Sequence, residues 1–253
     1  MSDWMTWLLL TLFGYVGLPT LLARLGFART LKRAQPRRRL VALTFDDGPD
    51  PVWTPRILQI LDRHGVKACF FILGDHAAAH PELVRQIHAA GHEIGVHGYR
   101  HRLPALLGLR ATLRDVGETV RLLTEITGQR PRFYRPPWGI FNLWTAMAAR
   151  RHGLVPVVWS LYLSEWSHST TPARICAEAL TNAHPGCVLL LHDAAGPGSR
   201  EDAPQLVARA LPPLIAGLRR KGYALVSLSE LLTPLEGGGS HATPDPPVGS
   251  HRP

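Results

Sequence analysis

Short apolar runs alternate along the chain with longer segments of helical periodicity. The apolar runs predict seven strands, near 40–45, 67–73, 93–97, 132–137, 154–160, 187–192 and 223–228. The intervening segments predict six helices, near 54–64, 82–90, 111–128, 142–152, 172–183 and 203–221. Repeated strand–helix order favours parallel strands joined by right-handed crossovers. The pattern therefore predicts an α/β fold built on a barrel-like sheet of about seven strands.

The start of the chain differs from the rest because Trp4 to Ala23 contains no charged residue. A stretch of this length can span a bilayer, and Trp7 and Tyr15 suit the membrane interfaces. The charged region and small-residue cleavage site of a signal peptide are absent from the pattern. We therefore expect residues 1–24 to form an uncleaved, single-pass transmembrane helix. The alternative is a buried helix of the domain.

Seven basic residues follow this apolar segment and supply most of the formal net charge of +9. They are Arg24, Arg29, Lys32, Arg33, Arg37, Arg38 and Arg39. We interpret residues 25–39 as a membrane-proximal basic linker, and we expect no nucleic-acid partner because stacking aromatics do not alternate with the charges. The positive-inside rule favours the cytoplasmic side for such a linker. At the other end, the Gly- and Pro-rich residues 236–253 predict a disordered tail.

Candidate chemistry begins with two adjacent carboxylates, Asp46 and Asp47, between a predicted strand and a Gly-Pro turn. At such a junction both side chains can point into one cleft, and a cation bound to one would leave the other free as a general base. His97 and His101 follow a second short strand and would share one face if the segment made a helical turn. With Asp47 they form a two-histidine, one-carboxylate set that leaves positions open for water and substrate. Taken singly, these patterns are also typical of a solvated turn and of surface histidines.

Two further strand ends carry candidate residues. Arg135 precedes a rigid Pro-Pro pair and could hold a carboxylate through a bidentate contact. His192 ends the apolar run 187–191 and is a candidate proton donor near neutral pH. The alternative for His192 is a loop histidine that satisfies backbone groups.

Together and in this order, these four stretches resemble the polysaccharide deacetylases with the NodB-homology domain, carbohydrate esterase family four. Thr-Phe-Asp-Asp-Gly-Pro is matched in full at 44–49, and the family's His-Ser/Thr-x-x-His becomes His-Gly-Tyr-Arg-His at 97–101. The third motif reads Arg-Pro-Pro-Trp-Gly at 135–139, and the fifth reads Leu-Leu-His-Asp at 190–193. The resemblance implies a NodB-like deacetylase domain over residues 40–235 with a distorted, incomplete (β/α) barrel.

The resemblance also implies a role for each residue of the first three motifs. Asp46 would be the general base that activates the attacking water, and Arg135 would orient it. Asp47, His97 and His101 would hold one divalent metal ion, expected to be zinc.

For the later motifs, the resemblance implies that His192 protonates the departing amine. The backbone N–H of Trp138 would help to stabilise the oxyanion, while Trp166 and Leu190 would contact substrate. The fourth motif departs from the family because Glu165 stands where Asp is usual. Glu keeps the charge and adds a methylene, and we expect it to reach His192.

A second departure is Gly98, which stands where the family has Ser or Thr and which loosens the backbone between the two histidines. The departures at Gly98 and Glu165 have two interpretations: a subfamily with a different substrate, or a protein with weakened catalysis.

The sequence thus predicts a monomeric, metal-dependent hydrolase that deacetylates N-acetylated amino sugars in a polysaccharide or cell-envelope glycan. Three alternatives remain: a catalytically weak carbohydrate-binding relative, an amidase acting on a small non-sugar amide, and a nucleic-acid-binding membrane protein. The family resemblance favours a catalytic domain facing the cell envelope, whereas the basic linker argues for the cytoplasmic side.

Overall fold

A parallel sheet of seven strands forms the centre of the computed structural model, which describes residues 3–25, 30–31 and 39–232. In chain order the strands are β1 (Leu40–Asp46), β2 (Cys69–Ile72), β3 (Glu93–Val96), β4 (Phe133–Tyr134), β5 (Val155–Pro156), β6 (Cys187–His192) and β7 (Ala224–Leu225). Their spatial order is β5-β4-β3-β2-β1-β6, and β7 pairs with the start of β1. The predicted incomplete barrel and its strand number are confirmed. Most of the predicted linker and all of the predicted tail lie outside the described residues.

Ten α-helices accompany this sheet in the described part of the chain. They are α1 (Asp3–Leu12), α2 (Leu18–Arg24), α3 (Trp53–Arg63), α4 (Gly74–Ala79), α5 (Pro81–Ala89), α6 (Leu109–Thr127), α7 (Thr145–Arg151), α8 (Pro172–Asn182), α9 (Ala203–Arg220) and α10 (Leu228–Leu232). Six of them match the predicted helices to within three residues at each end. The short helices α4 and α10 escaped prediction because each is too brief to carry a clear periodicity.

The alternation of side chains in β1 separates two apolar layers. Val41, Leu43 and Phe45 belong to the larger cluster, which packs under the outer helices. Ala42 faces a smaller cluster with Phe71 of β2, and the helix α10 also contributes to it. Because both faces of β1 are buried, the strand is apolar from Leu40 to Leu43, and its polar side chains, Thr44 and Asp46, lie toward its carboxyl end.

The N-terminal apolar segment is helical from Asp3 to Arg24, with a π-helical turn at Phe13–Gly17 between α1 and α2. Its length and mean hydropathy of 1.6 are sufficient for a helix that crosses a membrane, and signal sequences share these two properties. The second half of this helix lies on the domain. The N–H of Leu143 donates to the Tyr15 carbonyl over 2.9 Å, and the Thr20 hydroxyl exchanges hydrogen bonds with the backbone of Phe141.

Candidate active site

The turn after β1 directs two carboxylates into one cleft. Asp46 is the last residue of β1, and Asp47 has a φ of +75°, which breaks the alternation of side chains that a strand would impose. As a result, both carboxylates lie near Nε2 of His97, at 3.9 Å from Asp46 Oδ2 and 3.3 Å from Asp47 Oδ1. Both are buried. The predicted convergence of the two side chains is therefore present in the structure.

Asp47, His97 and His101 form a cluster suited to a metal ion. Oδ1 of Asp47 lies 3.3 Å from Nε2 of each histidine, and one ligand atom from each of the three residues lies within 4.8 Å of the others. Nδ1 of His97 is 2.8 Å from the Arg135 carbonyl, so an Nδ1–H can donate there and leave Nε2, the nitrogen that faces Asp47, available to a cation.

The donor set fits a divalent cation. Oδ1 of Asp47 is buried and has no hydrogen-bond partner among the described residues. Burial raises the pKa of Asp47, but its interaction with His97 and the charges of the nearby histidines outweigh burial and lower that pKa to about 2. The carboxylate is therefore ionised at neutral pH. A buried carboxylate oxygen that lies 3.3 Å from two imidazole nitrogens is an arrangement that a divalent cation with a preference for nitrogen and oxygen ligands satisfies.

The histidine pair is brought together by a loop, and the helical turn considered from the sequence is not formed. Residues 97–101 follow β3 without helical structure, and Gly98 adopts a φ of +99° that favours glycine. A Cβ at this position would lie 2.7 Å from Oδ2 of Asp115. Burial raises the pKa of Asp115 above its usual value. The backbone N–H groups of Tyr99 and Arg100, which donate to its carboxylate, only partly offset this rise. Asp115 thus supports the loop at the point where the family has a hydroxyl side chain.

Arg135 is completely buried and holds Asp46. Its Nη1 donates to Asp46 Oδ1 over 2.6 Å and to Thr44 Oγ1 over 3.0 Å. The guanidinium also lies 4.1 Å from the ring centroid of Phe71. The contact with Asp46 uses one nitrogen, so the bidentate geometry considered from the sequence is not formed. Nε and Nη2 have no acceptor within the described part of the chain.

His192 stands opposite Asp46 on the neighbouring strand. The register of β1 and β6 pairs these two residues directly, and Nδ1 of His192 lies 2.8 Å from Oε1 of Glu165. Glu165 is almost fully buried, so the longer side chain does reach the imidazole as expected. Burial lowers the pKa of His192, but the hydrogen bond and charge of Glu165, together with Asp47 and Asp46, raise it to about 9.

A pocket of about 520 Å³ opens over these groups. The three residues predicted to contact substrate all line it: Leu190 is largely buried, while Trp138 and Trp166 are 40% and 53% exposed. Trp138 has a φ of +55°, and its ring meets His101 edge-on at a centroid distance of 4.1 Å. The aromatic rings therefore form the open side of the pocket and the acids its floor.

Trp159 and Arg24 are among the pocket residues that the sequence did not identify. Trp159 lines the pocket, and the guanidinium of Arg24 lies 5.3 Å from its ring centroid. Arg24 was assigned to the membrane anchor and reaches the pocket only because α2 packs on the domain. A lone Trp and a lone Arg carry no local signal for this contact.

Asp193 is a third residue that the sequence left without a role. It is buried, and the Thr54 hydroxyl donates to its Oδ2 over 2.5 Å. Burial raises the pKa of Asp193 to about 7. Its carboxylate fills the space beside Gly48, where a Cβ would come within 2.2 Å of Oδ2. The Asp-Gly-Pro turn and the end of β6 therefore fit together only with glycine at position 48.

Comparison with known proteins identifies the family of this chain. The family model described as polysaccharide deacetylase matches residues 33–157. The chain is 35% identical over 213 residues to a chitooligosaccharide deacetylase of Sinorhizobium fredii, covering 82% of this chain and 98% of that protein. It is also 35% identical over 191 residues to a peptidoglycan-N-acetylglucosamine deacetylase of Bacillus cereus, covering 76% and 67%. The chain belongs to the polysaccharide deacetylase family, and the predicted enzyme class, a hydrolase of carbon–nitrogen bonds, is confirmed.

Solved structures with the same fold include a deacetylase and a pseudoenzyme. A peptidoglycan N-acetylglucosamine deacetylase in complex with an N-hydroxybenzamide superposes with a TM-score of 0.75 at 31% identity, covering 83% of this chain and 95% of that chain. A CE4 family pseudoenzyme from Bacillus anthracis superposes with a TM-score of 0.73 at 26% identity, covering 81% and 69%. The fold alone therefore does not guarantee catalysis, which depends on the site residues.

Proposed function

We propose that this protein hydrolyses the acetamide of N-acetylglucosamine units in a chitooligosaccharide or peptidoglycan glycan and requires one divalent cation. The observation that carries the proposal is the side-by-side arrangement of a cation site and a separate buried acid. Asp47, His97 and His101 form the first, and Asp46, held by Arg135, forms the second. Two adjacent carboxylates thus have different partners and different tasks.

Asp47, His97 and His101 would hold the cation, and zinc is the expected ion because it prefers imidazole and carboxylate ligands in catalytic sites. When bound, such a cation supplies Lewis acidity, which makes an amide carbonyl more electrophilic and a water molecule more acidic. The hydrogen bond from His97 to the Arg135 carbonyl fixes the ring in the orientation that this role needs.

Asp46 is the proposed general base. It accepts a proton from the attacking water while the oxygen of that water bonds to the acetyl carbon. Arg135 orients the Asp46 carboxylate through its 2.6 Å contact, and it is a positioning residue because it lies beneath the pocket. The backbone N–H of Trp138 is the proposed donor to the oxygen on which negative charge develops.

His192 is the proposed general acid. The carbon–nitrogen bond of the acetamide breaks as His192 delivers a proton to the departing nitrogen, giving acetate and a free amine. With its pKa raised to about 9, the imidazole carries that proton at neutral pH. Glu165 stabilises the protonated imidazole through its contact with Nδ1. Trp166, Trp138 and Leu190 supply the aromatic and apolar surface against which a sugar ring and an acetyl methyl group can pack.

A catalytically weak carbohydrate-binding protein is the main alternative, and Gly98 is the feature that motivates it. The Asp115 carboxylate supports the same loop, however, and none of the proposed acid, base or ligand positions is lost. An amidase for small non-sugar amides would use the same chemistry. The wide pocket with exposed aromatic rings favours a sugar.

The cellular setting is also a proposal. We infer that residues 1–24 attach the protein to a membrane, with the catalytic domain of residues 40–235 following a basic linker of residues 25–39. The relatives that act on peptidoglycan favour the envelope side, and the positive charges of the linker favour the cytoplasmic side.

Acetate release from a panel of N-acetylated glycans and small amides, with and without a chelator, tests the proposal. We expect release from N-acetylglucosamine oligomers or peptidoglycan fragments, loss of release with the chelator, and recovery on adding zinc. Glycan binding without acetate release would favour the weak binding protein. Release from small amides alone would favour the amidase.

A further inference from the structure

The second half of the N-terminal helix is fastened to the catalytic domain. Tyr15 accepts from the Leu143 N–H, and its hydroxyl donates to the carbonyl of Leu107. Eight residues further on, Ala23 is buried against Phe141 and Val158. Only the part of the helix before Tyr15 therefore projects free of the domain.

Because of this attachment, the helix cannot cross a bilayer at a distance from its own domain. The free part, Asp3 to Gly14, is about 18 Å long at 1.5 Å per residue. The hydrocarbon core of a bilayer is about 30 Å thick. If the whole helix spans the membrane, the docked half carries the adjacent domain surface into it. If only the free part enters, the same domain surface rests on the membrane.

That domain surface exposes large apolar side chains. Leu106 is 81% exposed, Leu143 is 52% exposed, Met147 is 41% exposed and Leu109 is 37% exposed. We call these four residues the apolar rim. Leu106 and Leu109 flank Leu107, and Leu143 adjoins Tyr15 through its own N–H, so the rim continues the apolar surface of the helix. The Asn142 side chain donates to the carbonyls of Pro104 and Leu107, which holds the two rim segments together.

We propose that the apolar rim is a membrane-contacting surface, so that the catalytic domain sits against the bilayer rather than at the end of a linker. Exposed apolar residues beside an apolar helix match the chemistry of a lipid surface. The basic residues that follow the helix match anionic headgroups. Arg24 ends the helix and also lines the pocket. In this arrangement the wall of the pocket lies at the level of the headgroups.

Lipid quenching of single-site fluorescent labels tests this contact. Cys176 is the one cysteine of three with partial exposure, so Cys176→Ser gives a background for labelling. Leu106→Cys and Leu143→Cys report on the rim, and Leu9→Cys reports on the free part of the helix. The matched control is Gln129→Cys, an exposed position near the amino end of β4, at the opposite edge of the sheet. The full chain is reconstituted in vesicles of phosphatidylcholine and phosphatidylglycerol whose acyl chains carry bromine.

We expect the labels at Leu106, Leu143 and Leu9 to lose fluorescence with brominated lipid and the label at Gln129 to keep it. Loss at Leu9 alone would overturn the proposal, because the domain would then stand away from the membrane. No loss at any position would overturn it too, because the helix would not enter the bilayer. The measurement does not involve hydrolysis, so its failure would leave the proposed deacetylation standing.

Discussion

Oε1 of Glu165 lies 2.8 Å from Nδ1 of His192, although the family's usual residue at position 165 is one methylene shorter. Glu165 is buried, and its second oxygen, Oε2, has no hydrogen-bond partner in the described part of the chain. Its contact through Oε1 is the largest of the interactions that raise the pKa of the proposed acid, ahead of Asp47 and Asp46.

Glu165→Gln should shift the alkaline limb of the pH–rate profile to lower pH. Burial lowers the pKa of His192 and Glu165 raises it, with a net value of about 9. Removing the negative charge lowers that pKa, so His192 loses its proton sooner as pH rises. Initial rates of acetate release measured across the alkaline range check this shift.

Two further variants separate the effect of the charge at position 165 from the effect of removing any carboxylate. Glu165→Asp keeps the charge and should shift the limb less than Glu165→Gln. Glu125→Gln removes an exposed carboxylate on α6 and should leave the profile unchanged. An unaltered limb in Glu165→Gln would remove Glu165 from the acid mechanism.

His97→Ala and His101→Ala should each lose stoichiometric zinc and acetate release. Each substitution deletes one of the three ligand residues, Asp47, His97 and His101, and the remaining two cannot hold the ion at its normal coordination. Metal content after dialysis, measured by elemental analysis, checks the prediction. His168→Ala, at an exposed histidine away from the cluster, should retain the metal. Full retention by both site variants would show that the ion binds elsewhere.

Arg135→Met should destabilise the protein by about 3–5 kcal/mol, because it leaves the buried Asp46 without its closest cation. The free energy of unfolding from urea titration measures this cost. The double variant Arg135→Met with Asp46→Asn should recover part of it, since no uncompensated charge then remains. Equal losses in the single and double variants would mean that Arg135 acts through packing on Phe71 instead.

Gly98→Ser restores the family's usual residue and should nevertheless weaken the site. The φ of +99° disfavours any side chain, and the new Cβ would press on Asp115. We expect a loss of about 1–3 kcal/mol in stability and a lower zinc affinity. Gly128→Ser is the matched control, because Gly128 also has a positive φ but has open space around it. It should lose stability without losing zinc affinity; equal zinc affinity in both variants would contradict the role of Asp115.

The sequence predicts those parts of the site that each strand delivers on its own. Asp46, Asp47 and His192 follow apolar runs, and parallel strands necessarily bring their carboxyl ends to one edge of the sheet. The reach of Glu165 follows from its side-chain length and its place in the fourth motif. The predicted strand at 132–137 is longer than β4, because Pro136 and Pro137 lack the N–H groups that would continue the strand.

The remaining contacts depend on packing between segments that are distant in sequence. Arg24 enters the pocket only because Thr20 and Ala23 dock on the loop around Phe141. The support of Gly98 by Asp115 likewise joins a loop to a helix that starts eleven residues later. Neither contact has a local pattern, because hydropathy and spacing describe one element at a time.

Asp46 and Asp47 are proposed to have separate tasks, Asp46 as the base and Asp47 as a metal ligand. Acetate release by Asp46→Asn, measured after its zinc content has been verified, separates the two tasks. We expect this variant to bind zinc as the unmodified protein does and to release no measurable acetate from N-acetylglucosamine oligomers. Near-normal acetate release by the zinc-loaded variant would show that Asp46 is not the base.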